Sequence, residues 1–368
     1  MNQIIFPGKN RARLPNLTSI RFFLAFLVLI WHVSLFSENR GFPTCNYLTV
    51  FQKGTEAVYA FFALSGFLII KQLFEEKTNT NTIDLRAFYL RRALRIFPLY
   101  YLVLSFGFLY YNFILPFFGF YFESNYNLLN GILLSISFFS NIFSSYSPGG
   151  ILEVLWSIGV EEQFYLLIAP LFFLLPVKRL TLFLGAFTFF YFLLYFSDAF
   201  MFLREFRMLF FYFSFGGFCS IFLNRNRIQF LIKKIRLFIL ITLLLYFTTF
   251  LFKNNLNEVS YQLFTMLLFG TSILALSQKP LPIFENKAMI YLGKISYGIY
   301  MYHSIVLQFV GLIYLKFISK LELNSVLGVV IINLLVLVLT IIISHFSYRY
   351  YESYFLNFKY RIKAKSVG

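Results

Sequence analysis

Residues 18–37 read TSIRFFLAFLVLIWHVSLFS, a nearly unbroken apolar run that contains one arginine and one histidine. A helix needs about 20 mostly apolar residues to cross the hydrocarbon core of a bilayer. The rest of the chain repeats this pattern, with 59% hydrophobic and only 13% charged residues, which excludes a soluble globule of 368 residues. The sequence therefore predicts an all-α polytopic membrane protein, because backbone groups in hydrocarbon must be hydrogen-bonded within their own helix.

Ten stretches of the chain have the length and apolarity of a membrane span. They are residues 18–37, 55–73, 95–115, 161–176, 180–197, 207–223, 236–252, 259–277, 294–315 and 325–346. The stretch 128–143 is also apolar, but Ser135, Ser137, Ser140 and Asn141 interrupt it. We therefore expect a re-entrant or interfacial segment there and not an eleventh span.

The basic residues are distributed unevenly between the connections of these ten spans. One side holds most of them, including the terminal residues Lys9, Arg11, Lys359, Arg361, Lys363 and Lys365. The other side holds only Arg40, Lys53, Arg204, Arg207, Lys253, Lys316 and Lys320. Because cytoplasmic loops carry an excess of Lys and Arg, we predict a multi-pass inner-membrane protein with both termini in the cytoplasm. This topology accounts for the net charge of +17, so we expect no nucleic-acid partner.

Arg21 and His32 are ionisable residues inside the first span, where such side chains are costly and mark candidate functional sites. They are eleven residues apart. Eleven helical steps make about three turns plus roughly 20°, so both side chains are predicted on one face, about 16 Å apart. His32 could act as a general base in a polar channel shared with Arg21, which could meet an anionic donor. Alternatively, Arg21 snorkels to the interface and His32 is an interfacial residue.

The run RRALRIFPLYY at residues 91–101 brings three arginines to the start of the third span. Arg92 and Arg95 are three residues apart and share a helix face. A guanidinium group binds phosphate through two parallel hydrogen bonds, so Arg91, Arg92 and Arg95 suit the phosphates of cytoplasmic coenzyme A. Alternatively, the three arginines anchor the chain to anionic lipid headgroups.

The run WSIGVEEQFYLLIAP at residues 156–170 places Glu161 and Glu162 at the predicted outer end of the fourth span. There a carboxylate would lie at about the depth of His32, where it could orient the imidazole or bind an acceptor hydroxyl. Alternatively, a glutamate there is stabilised by the dipole of the helix N-terminus. We expect Glu161 to be functional and Glu162 to be solvated.

Two further stretches supply candidates for the lining of a substrate tunnel. FFALSGFLI in the second span contains Ser65 and Gly66, small residues that allow close approach of another helix. KISYGIYMYHSI in the ninth span contains Tyr297 and His303. His303 falls near mid-membrane, where it belongs either to a structural hydrogen-bond network or to the tunnel lining.

The two cysteines, Cys45 and Cys219, lie in dissimilar settings, one in a loop and one inside an apolar run. They are too few for a disulfide framework or a cysteine metal site. We therefore expect no metal cofactor.

Taken together, these motifs resemble the acyltransferase-3 family of membrane O-acyltransferases. The matching pieces occur in family order: NLTSIRFFLAFLVLIWH, FFALSGFLI, RRALRIFPLYYL, WSIGVEEQFYLLIAP, ISYGIYMYH and YRYYESYF. The family motif of an arginine, ten residues and a histidine falls on Arg21 and His32. Its arginine pair falls on Arg92 and Arg95, and its glutamate on Glu161.

The resemblance implies a ten-span inner-membrane enzyme that takes an acyl group, expected to be acetyl, from cytoplasmic acyl-CoA. The implied acceptor is a hydroxyl of an envelope polysaccharide, lipopolysaccharide, peptidoglycan or a related or lipid-linked sugar, and the other partners are membrane lipids. His32 would activate the acceptor hydroxyl or briefly carry the acyl group, with Glu161 supporting its charge. Direct transfer and an acyl-enzyme remain alternatives.

We expect one transmembrane domain over residues 1–368, without the SGNH-hydrolase-like domain that some relatives carry. The alternative function is a transporter or flippase of lipid-linked sugars, which would also be polytopic and contain buried charges. No pair of broken helices in matched halves of the sequence supports that alternative.

Overall fold

The computed structural model describes residues 13–120, 125–223, 225–321 and 324–358. Within these ranges the secondary structure is helical, and no strand is present. The prediction of an all-α polytopic membrane protein is confirmed. Six basic residues that the orientation argument used lie outside the described residues: Lys9, Arg11, Lys359, Arg361, Lys363 and Lys365. The orientation of the termini therefore stays a prediction.

Ten principal helices, α1 to α10, follow the ten predicted spans in order. They are α1 (Leu17–Glu38), α2 (Gly54–Thr80), α3 (Leu85–Leu109), α4 (Trp156–Leu174), α5 (Val177–Phe196), α6 (Phe210–Ile221), α7 (Asn226–Thr248), α8 (Glu258–Leu276), α9 (Ser296–Lys316) and α10 (Ser325–Phe346). Shorter helical segments connect or extend them: Thr49–Gln52, Tyr110–Ile114, Leu115–Phe117, Leu128–Ile136, Ser140–Ser144, Gly150–Glu153, Asp198–Phe200, Met201–Glu205, Leu251–Asn255, Pro282–Glu285, Lys287–Lys294, Ile318–Leu321 and Ser347–Glu352.

Eight helical segments in the described ranges are long and apolar enough to cross a membrane. The helices at the other two predicted spans, α6 and α7, do not combine this length with this apolarity. Helix α6 has 12 residues, and about 18 Å of helix is shorter than a hydrocarbon core of roughly 30 Å. Helix α7 has 23 residues, but Lys233, Lys234 and Arg236 interrupt its first half.

Helix α6 lies at the centre of the bundle, where ten of its twelve residues are buried. It crosses α2 at very short range. A Cβ atom on Gly66 would lie 1.9 Å from the carbonyl oxygen of Phe213, and one on Gly216 would lie 2.1 Å from that of Ala63. Small residues let membrane helices approach this closely. The predicted role of Gly66 in close helix approach is confirmed.

Helix α1 is fixed on several sides, and this sets the positions of Arg21 and His32. Near its start, a Cβ atom on Gly293 would lie 1.9 Å from the carbonyl oxygen of Thr18, so the helix Lys287–Lys294 packs directly on its backbone. Near its other end, a Cβ atom on Gly54 would lie 2.5 Å from the Trp31 ring. Helices α2, α9 and α10 cover its remaining faces.

The apolar stretch 128–143 forms two helices, Leu128–Ile136 and Ser140–Ser144, each too short to cross a bilayer. It packs against the bundle through polar contacts. The Tyr100 hydroxyl donates to the carbonyl oxygen of Ser135 at 2.7 Å, and the Gln163 side chain donates to that of Phe138 at 2.8 Å. No single spanning helix is therefore present in this described stretch, and its re-entrant or interfacial placement stays a prediction.

Large apolar side chains cover the outside of the bundle. On α7, Leu237 and Phe238 are 70% and 72% exposed. In water this would cost free energy, whereas lipid is as apolar as these side chains. The outer faces of the helices are therefore suited to contact with lipid.

Candidate active site

A cavity of about 400 Å³, here called the arginine cavity, lies between α1, α2, α3, α4 and α9. Small-molecule sites usually have volumes of roughly 300–1,000 Å³. Within the described ranges, the charged residues that line it are five cations and two carboxylates: Arg13, Arg21, Lys71, Arg92, Arg95, Glu75 and Glu161. The lining therefore has a net charge of +3, from five positive and two negative groups. Such a cavity favours a polyanionic ligand.

Helix α3 brings Arg92 and Arg95 into this cavity together. The helix begins after Asp84, whose side chain accepts a hydrogen bond from the backbone N–H of Ala87 and so caps the first turn. Arg92 and Arg95 follow on one face, as their spacing predicts. Arg91 is not among the lining residues, and its Nη2 atom lies 3.7 Å from Oε2 of Glu76.

Helix α4 adds a tyrosine and a carboxylate to the same wall. The Tyr165 hydroxyl donates to the Glu161 carboxylate one turn earlier in the helix. The guanidinium carbon of Arg92 lies 5.3 Å from the centroid of the Tyr165 ring, a distance at which a cation is attracted to the ring face. Tyr165 thus connects Arg92 to Glu161, and Glu161 supplies a negative charge among the arginines.

The structure differs from the sequence-based placement of Glu161 and Glu162. Helix α4 begins at Trp156, so Glu161 lies in its second turn, among the arginines and not beside His32. The prediction that Glu162 is solvated is wrong, since its side chain is buried with the residue only 6% exposed. Its Oε1 atom has no hydrogen-bond partner in the described part of the chain. Helix α2 and the Ser140–Ser144 helix both pack on α4, and the sequence gives no sign of that packing.

His32 meets His303 from the ninth principal helix. The Nδ1 atom of His32 lies 3.1 Å from Nε2 of His303 and 2.9 Å from the carbonyl oxygen of Val28. The Nδ1 atom of His303 lies 2.5 Å from the carbonyl oxygen of Tyr300. His303 is buried at 1% exposure, whereas His32 is half-buried.

These contacts determine where the protons of the two neutral rings lie. A carbonyl oxygen only accepts hydrogen bonds, so Nδ1 of each histidine carries a proton and donates it. Nε2 of His303 then shares the Nδ1–H of His32 with the Val28 carbonyl oxygen as a second acceptor. This arrangement leaves the lone pair of His32 on Nε2, where it can take a proton. The histidine pair therefore presents one oriented base.

The structure brings other predicted residues to the arginine cavity but not to the histidine pair. Ser65 and Tyr297 line the cavity, and the Tyr297 hydroxyl donates to the carbonyl oxygen of Ile96 at 2.9 Å. His32 and His303 are not among its lining residues. Tyr300 joins the two sites, since its side chain lines the cavity and its carbonyl oxygen accepts from His303.

Sequence reasoning missed Tyr165 and Tyr300. Both have a spacing signal, because Tyr165 lies four residues after Glu161 and Tyr300 lies three residues before His303. Residues three or four apart on a helix are neighbours on its surface. Applying that rule to each candidate would have identified both tyrosines.

A second cavity, of about 740 Å³, is here called the acidic cavity. It is formed by the last turns of α1 and the first turns of α2 and α8, together with the connections next to them. Trp31 lines it, and the Trp31 ring centroid lies 4.5 Å from that of His32. Local sequence patterns do not predict this cavity, because it depends on how the starts of α2 and α8, which are distant in the chain, come together.

Comparison with known proteins places these motifs in a family. The chain is 29% identical to the peptidoglycan O-acetyltransferase OatA of Listeria monocytogenes over 178 residues, which is 46% of this chain and 25% of that protein. It is 28% identical to the O-acetyltransferase OatA of Staphylococcus aureus over 167 residues, 42% of this chain and 24% of that protein. The chain thus spans about a quarter of the length of these two relatives. No solved structure gives a significant match.

A family-level match covers far more of the chain than either relative does. The acyltransferase domain of the acyltransferase-3 family matches residues 14–345, which include α1 through nearly all of α10. That range contains Arg21, His32, Arg92, Arg95 and Glu161. The chain therefore belongs to the acyltransferase-3 family.

Proposed function

We propose that this membrane protein transfers an acetyl group from acetyl-CoA to a hydroxyl of an envelope glycan. The observation that carries the proposal is the position of Tyr300. Its side chain lines a cavity rich in arginine, and its backbone carbonyl oxygen orients the histidine pair. One residue therefore links the cavity that suits a polyanion to the histidine pair.

The residues of the arginine cavity fit coenzyme A as the group that delivers the acetyl. Coenzyme A presents a diphosphate and a ribose phosphate, and its thioester supplies an activated acetyl group. Arg92 and Arg95 can bind phosphate oxygens in pairs, and Arg21 lies on the facing helix. The half-buried position of these guanidinium groups strengthens their attraction for phosphate relative to a site in bulk water.

The histidine pair supplies the base for attack on the acetyl carbon. The acceptor hydroxyl gives its proton to Nε2 of His32 while its oxygen forms a C–O bond with the acetyl carbon. The C–S bond breaks, and the thiolate that leaves takes the proton back from His32. His303 acts by positioning His32 and by accepting the hydrogen bond from its Nδ1–H. Direct transfer is the simpler form of this mechanism.

The role proposed for Glu161 differs from the support of His32 that the sequence suggests. It lies among the arginines and accepts a hydrogen bond from Tyr165. In this position its carboxylate attracts the guanidinium groups and reduces the net positive charge of the cavity. Its contribution to transfer is then to the binding of the donor and not to the orientation of His32.

The acceptor is inferred from the relatives and from the expected topology. The OatA proteins of Listeria monocytogenes and Staphylococcus aureus are named as O-acetyltransferases, and the first acts on peptidoglycan by its name. An inner-membrane enzyme with its arginine cavity open to the cytoplasm would meet cytoplasmic acetyl-CoA and modify a glycan on the other side. Peptidoglycan, lipopolysaccharide, another envelope polysaccharide and a lipid-linked sugar all present suitable hydroxyls.

The test combines cells with purified protein. Mass spectra of envelope glycans and lipids from cells that contain the intact chain, no chain or His32→Ala should show loss of acetyl in the last two strains. Calorimetry on protein in lipid nanodiscs should show binding of CoA. Full acetylation with His32→Ala at normal protein levels would overturn the assignment of His32. Absence of CoA binding with unchanged glycan and lipid masses would overturn the proposal and favour a transporter of lipid-linked sugars.

A further inference from the structure

Each of two cavities of different chemistry has a lining residue next to the histidine pair. The arginine cavity is lined by Tyr300, whose carbonyl oxygen accepts from His303. The acidic cavity is lined by Trp31, whose ring centroid lies 4.5 Å from that of His32. In a direct transfer the base meets the acceptor hydroxyl while the acetyl group of the donor lies beside it, so the two substrates need separate sites. The arginine cavity suits the donor, which leaves the acidic cavity as the candidate site for the acceptor.

A buried carboxylate with a hydrogen bond and an ion pair forms part of the wall of the acidic cavity. Glu56 is 5% exposed and lines the cavity, and its Oε1 atom accepts from the Tyr261 hydroxyl at 2.9 Å. The ammonium group of Lys53 lies 3.5 Å from the same oxygen. Lys53 is itself 1% exposed, with its ammonium 4.7 Å from the centroid of the Tyr246 ring. These contacts fix Glu56 in one position as a hydrogen-bond acceptor.

The mouth of the acidic cavity carries more carboxylates. Glu38 and Glu258 are exposed there, and Lys253 is the one cation among the described residues that line this cavity. With Glu56 the lining has three negative groups and one positive group, a net charge of −2. The negative sign remains when Lys53, which lies behind Glu56, is included. A ligand that carries phosphate or free carboxylate is repelled from such a site.

Aromatic rings and amides complete the wall. The Trp31 and Tyr59 rings line the cavity, and Tyr59 is held by stacking on Tyr212 with centroids 5.0 Å apart. Gln262 also lines it and accepts from the Tyr212 hydroxyl at 2.6 Å. Rigid rings with polar groups between them suit a ligand that has apolar faces and many hydroxyls.

We propose that the acidic cavity binds the acceptor, and that this acceptor is a saccharide unit without phosphate or free carboxylate. Glu56 accepts a hydrogen bond from one sugar hydroxyl, and Trp31 lies along the sugar and directs another hydroxyl to His32. The inference rests on the proposed function, since it names the class of acceptor for the same transfer. It also explains how two substrates are kept apart, because phosphates enter the cationic cavity and are excluded from the anionic one.

The first experiment measures donor and acceptor steps separately in Glu56→Gln and Glu258→Lys. Glu258 is exposed, so its variant does not depend on the folding of the buried pair. Asp198→Lys is the matched control, because Asp198 is a fully exposed acid outside both cavities. We expect ester-linked acetate released by mild base from envelope glycans to fall at least tenfold in the two cavity variants. We expect their CoA affinity to stay within twofold of the unaltered protein, and the control to match it in both.

Three results of this experiment have distinct meanings. Full acetylation in both cavity variants overturns the inference and leaves the proposed function intact. A loss of CoA affinity equal to the loss of acetate also overturns it, because the cavity would then serve the donor. An unaltered protein that neither binds CoA nor adds acetate refutes the proposed function itself.

A second experiment tests the charge class of the ligand. Leu35→Cys places a thiol in the acidic cavity, since Leu35 lines it and is exposed. Maleimide labelling of that thiol should be slowed by neutral oligomers of glucose, mannose or N-acetylglucosamine. An oligomer of galacturonic acid should give less protection. Equal or greater protection by the acidic oligomer, or protection by none of the neutral oligomers, would overturn the inference.

Discussion

The Nε2 atom of His303 lies 3.1 Å from Nδ1 of His32, although the two residues are 271 positions apart in the chain. Each ring also contacts a backbone carbonyl oxygen of its own helix, His32 at Val28 and His303 at Tyr300. The two helices α1 and α9 therefore hold both rings in fixed orientations. This relationship supports the proposed role of His303 in positioning His32.

Replacing His303 tests that role. His303→Ala removes one of the two acceptors of His32 Nδ1–H and leaves the Val28 carbonyl oxygen as the other, so the imidazole loses a neighbouring ring and its Nε2 can turn away from the acceptor hydroxyl. We expect kcat for acetyl transfer to fall by about 10²-fold or more, with little change in KM for acetyl-CoA. His303→Gln keeps an acceptor oxygen and should recover part of the loss. Steady-state kinetics in proteoliposomes measures both values.

The control for this prediction is His345→Ala. His345 also has a ring nitrogen bonded to a neighbour, 2.6 Å from the Tyr291 hydroxyl, but it lines neither cavity. Its variant should transfer acetyl at nearly the normal rate. If His345→Ala and His303→Ala lose activity equally, the histidine pair has no special position and the mechanism fails.

The arginines give a prediction on donor binding. Lysine keeps the charge of arginine but loses the planar fork that binds phosphate through two bonds. Arg92→Lys and Arg95→Lys should therefore raise KM for acetyl-CoA by about tenfold or more, since hydrogen bonds to charged groups contribute roughly 1.5–3 kcal/mol. Arg91→Lys should change KM less, because Arg91 lies outside the cavity lining. Equal increases in all three variants would contradict the separation of Arg91 from the other two.

Much of this arrangement could be predicted from local patterns. The ten helices follow apolar length, and the shared position of Arg92 and Arg95 follows helical spacing. The surroundings of Glu161 and Glu162 could not be predicted in this way. Helix α4 begins at Trp156 and not at residue 161, where the predicted span begins. This start, together with the packing of other helices on α4, decides which of the two carboxylates lies among the arginines. The contact between His32 and His303 likewise depends on long-range packing, which no local period encodes.

The adjacent glutamates provide a matched pair of variants. Glu161→Gln removes the negative charge from the arginine cavity and weakens the contact with Tyr165, so we expect donor KM to change and transfer to fall about tenfold. Glu162→Gln keeps the shape of a buried side chain that is not among those lining the cavity, and it should transfer normally. The same steady-state kinetic assay measures donor KM and the transfer rate in both variants. Loss of transfer in Glu162→Gln alone would show that the wrong carboxylate has been assigned to the site.

The crossing of α2 and α6 gives a prediction on stability. Gly66→Ala would bring a methyl group to 1.9 Å from the carbonyl oxygen of Phe213, and this backbone atom can move only if α6 moves with it. Overpacking of this kind costs about 1–3 kcal/mol, so the variant should unfold at a lower temperature in detergent micelles. Ser65 directly precedes Gly66 and lines the arginine cavity. We therefore expect the affinity of Gly66→Ala for the acetyl donor to fall as well.

Gly185→Ala is the control for the crossing. Gly185 lies in α5, where an added Cβ atom would lie 3.4 Å from the side chain of Phe218, an ordinary contact. Alanine in place of glycine within a helix contributes roughly 0.5–1 kcal/mol, so this variant should be as stable as the unaltered protein or slightly more stable. If the two variants unfold at the same temperature, the close crossing does not limit stability. If only Gly66→Ala is destabilised, the position of the arginine cavity depends on direct backbone contact between α2 and α6.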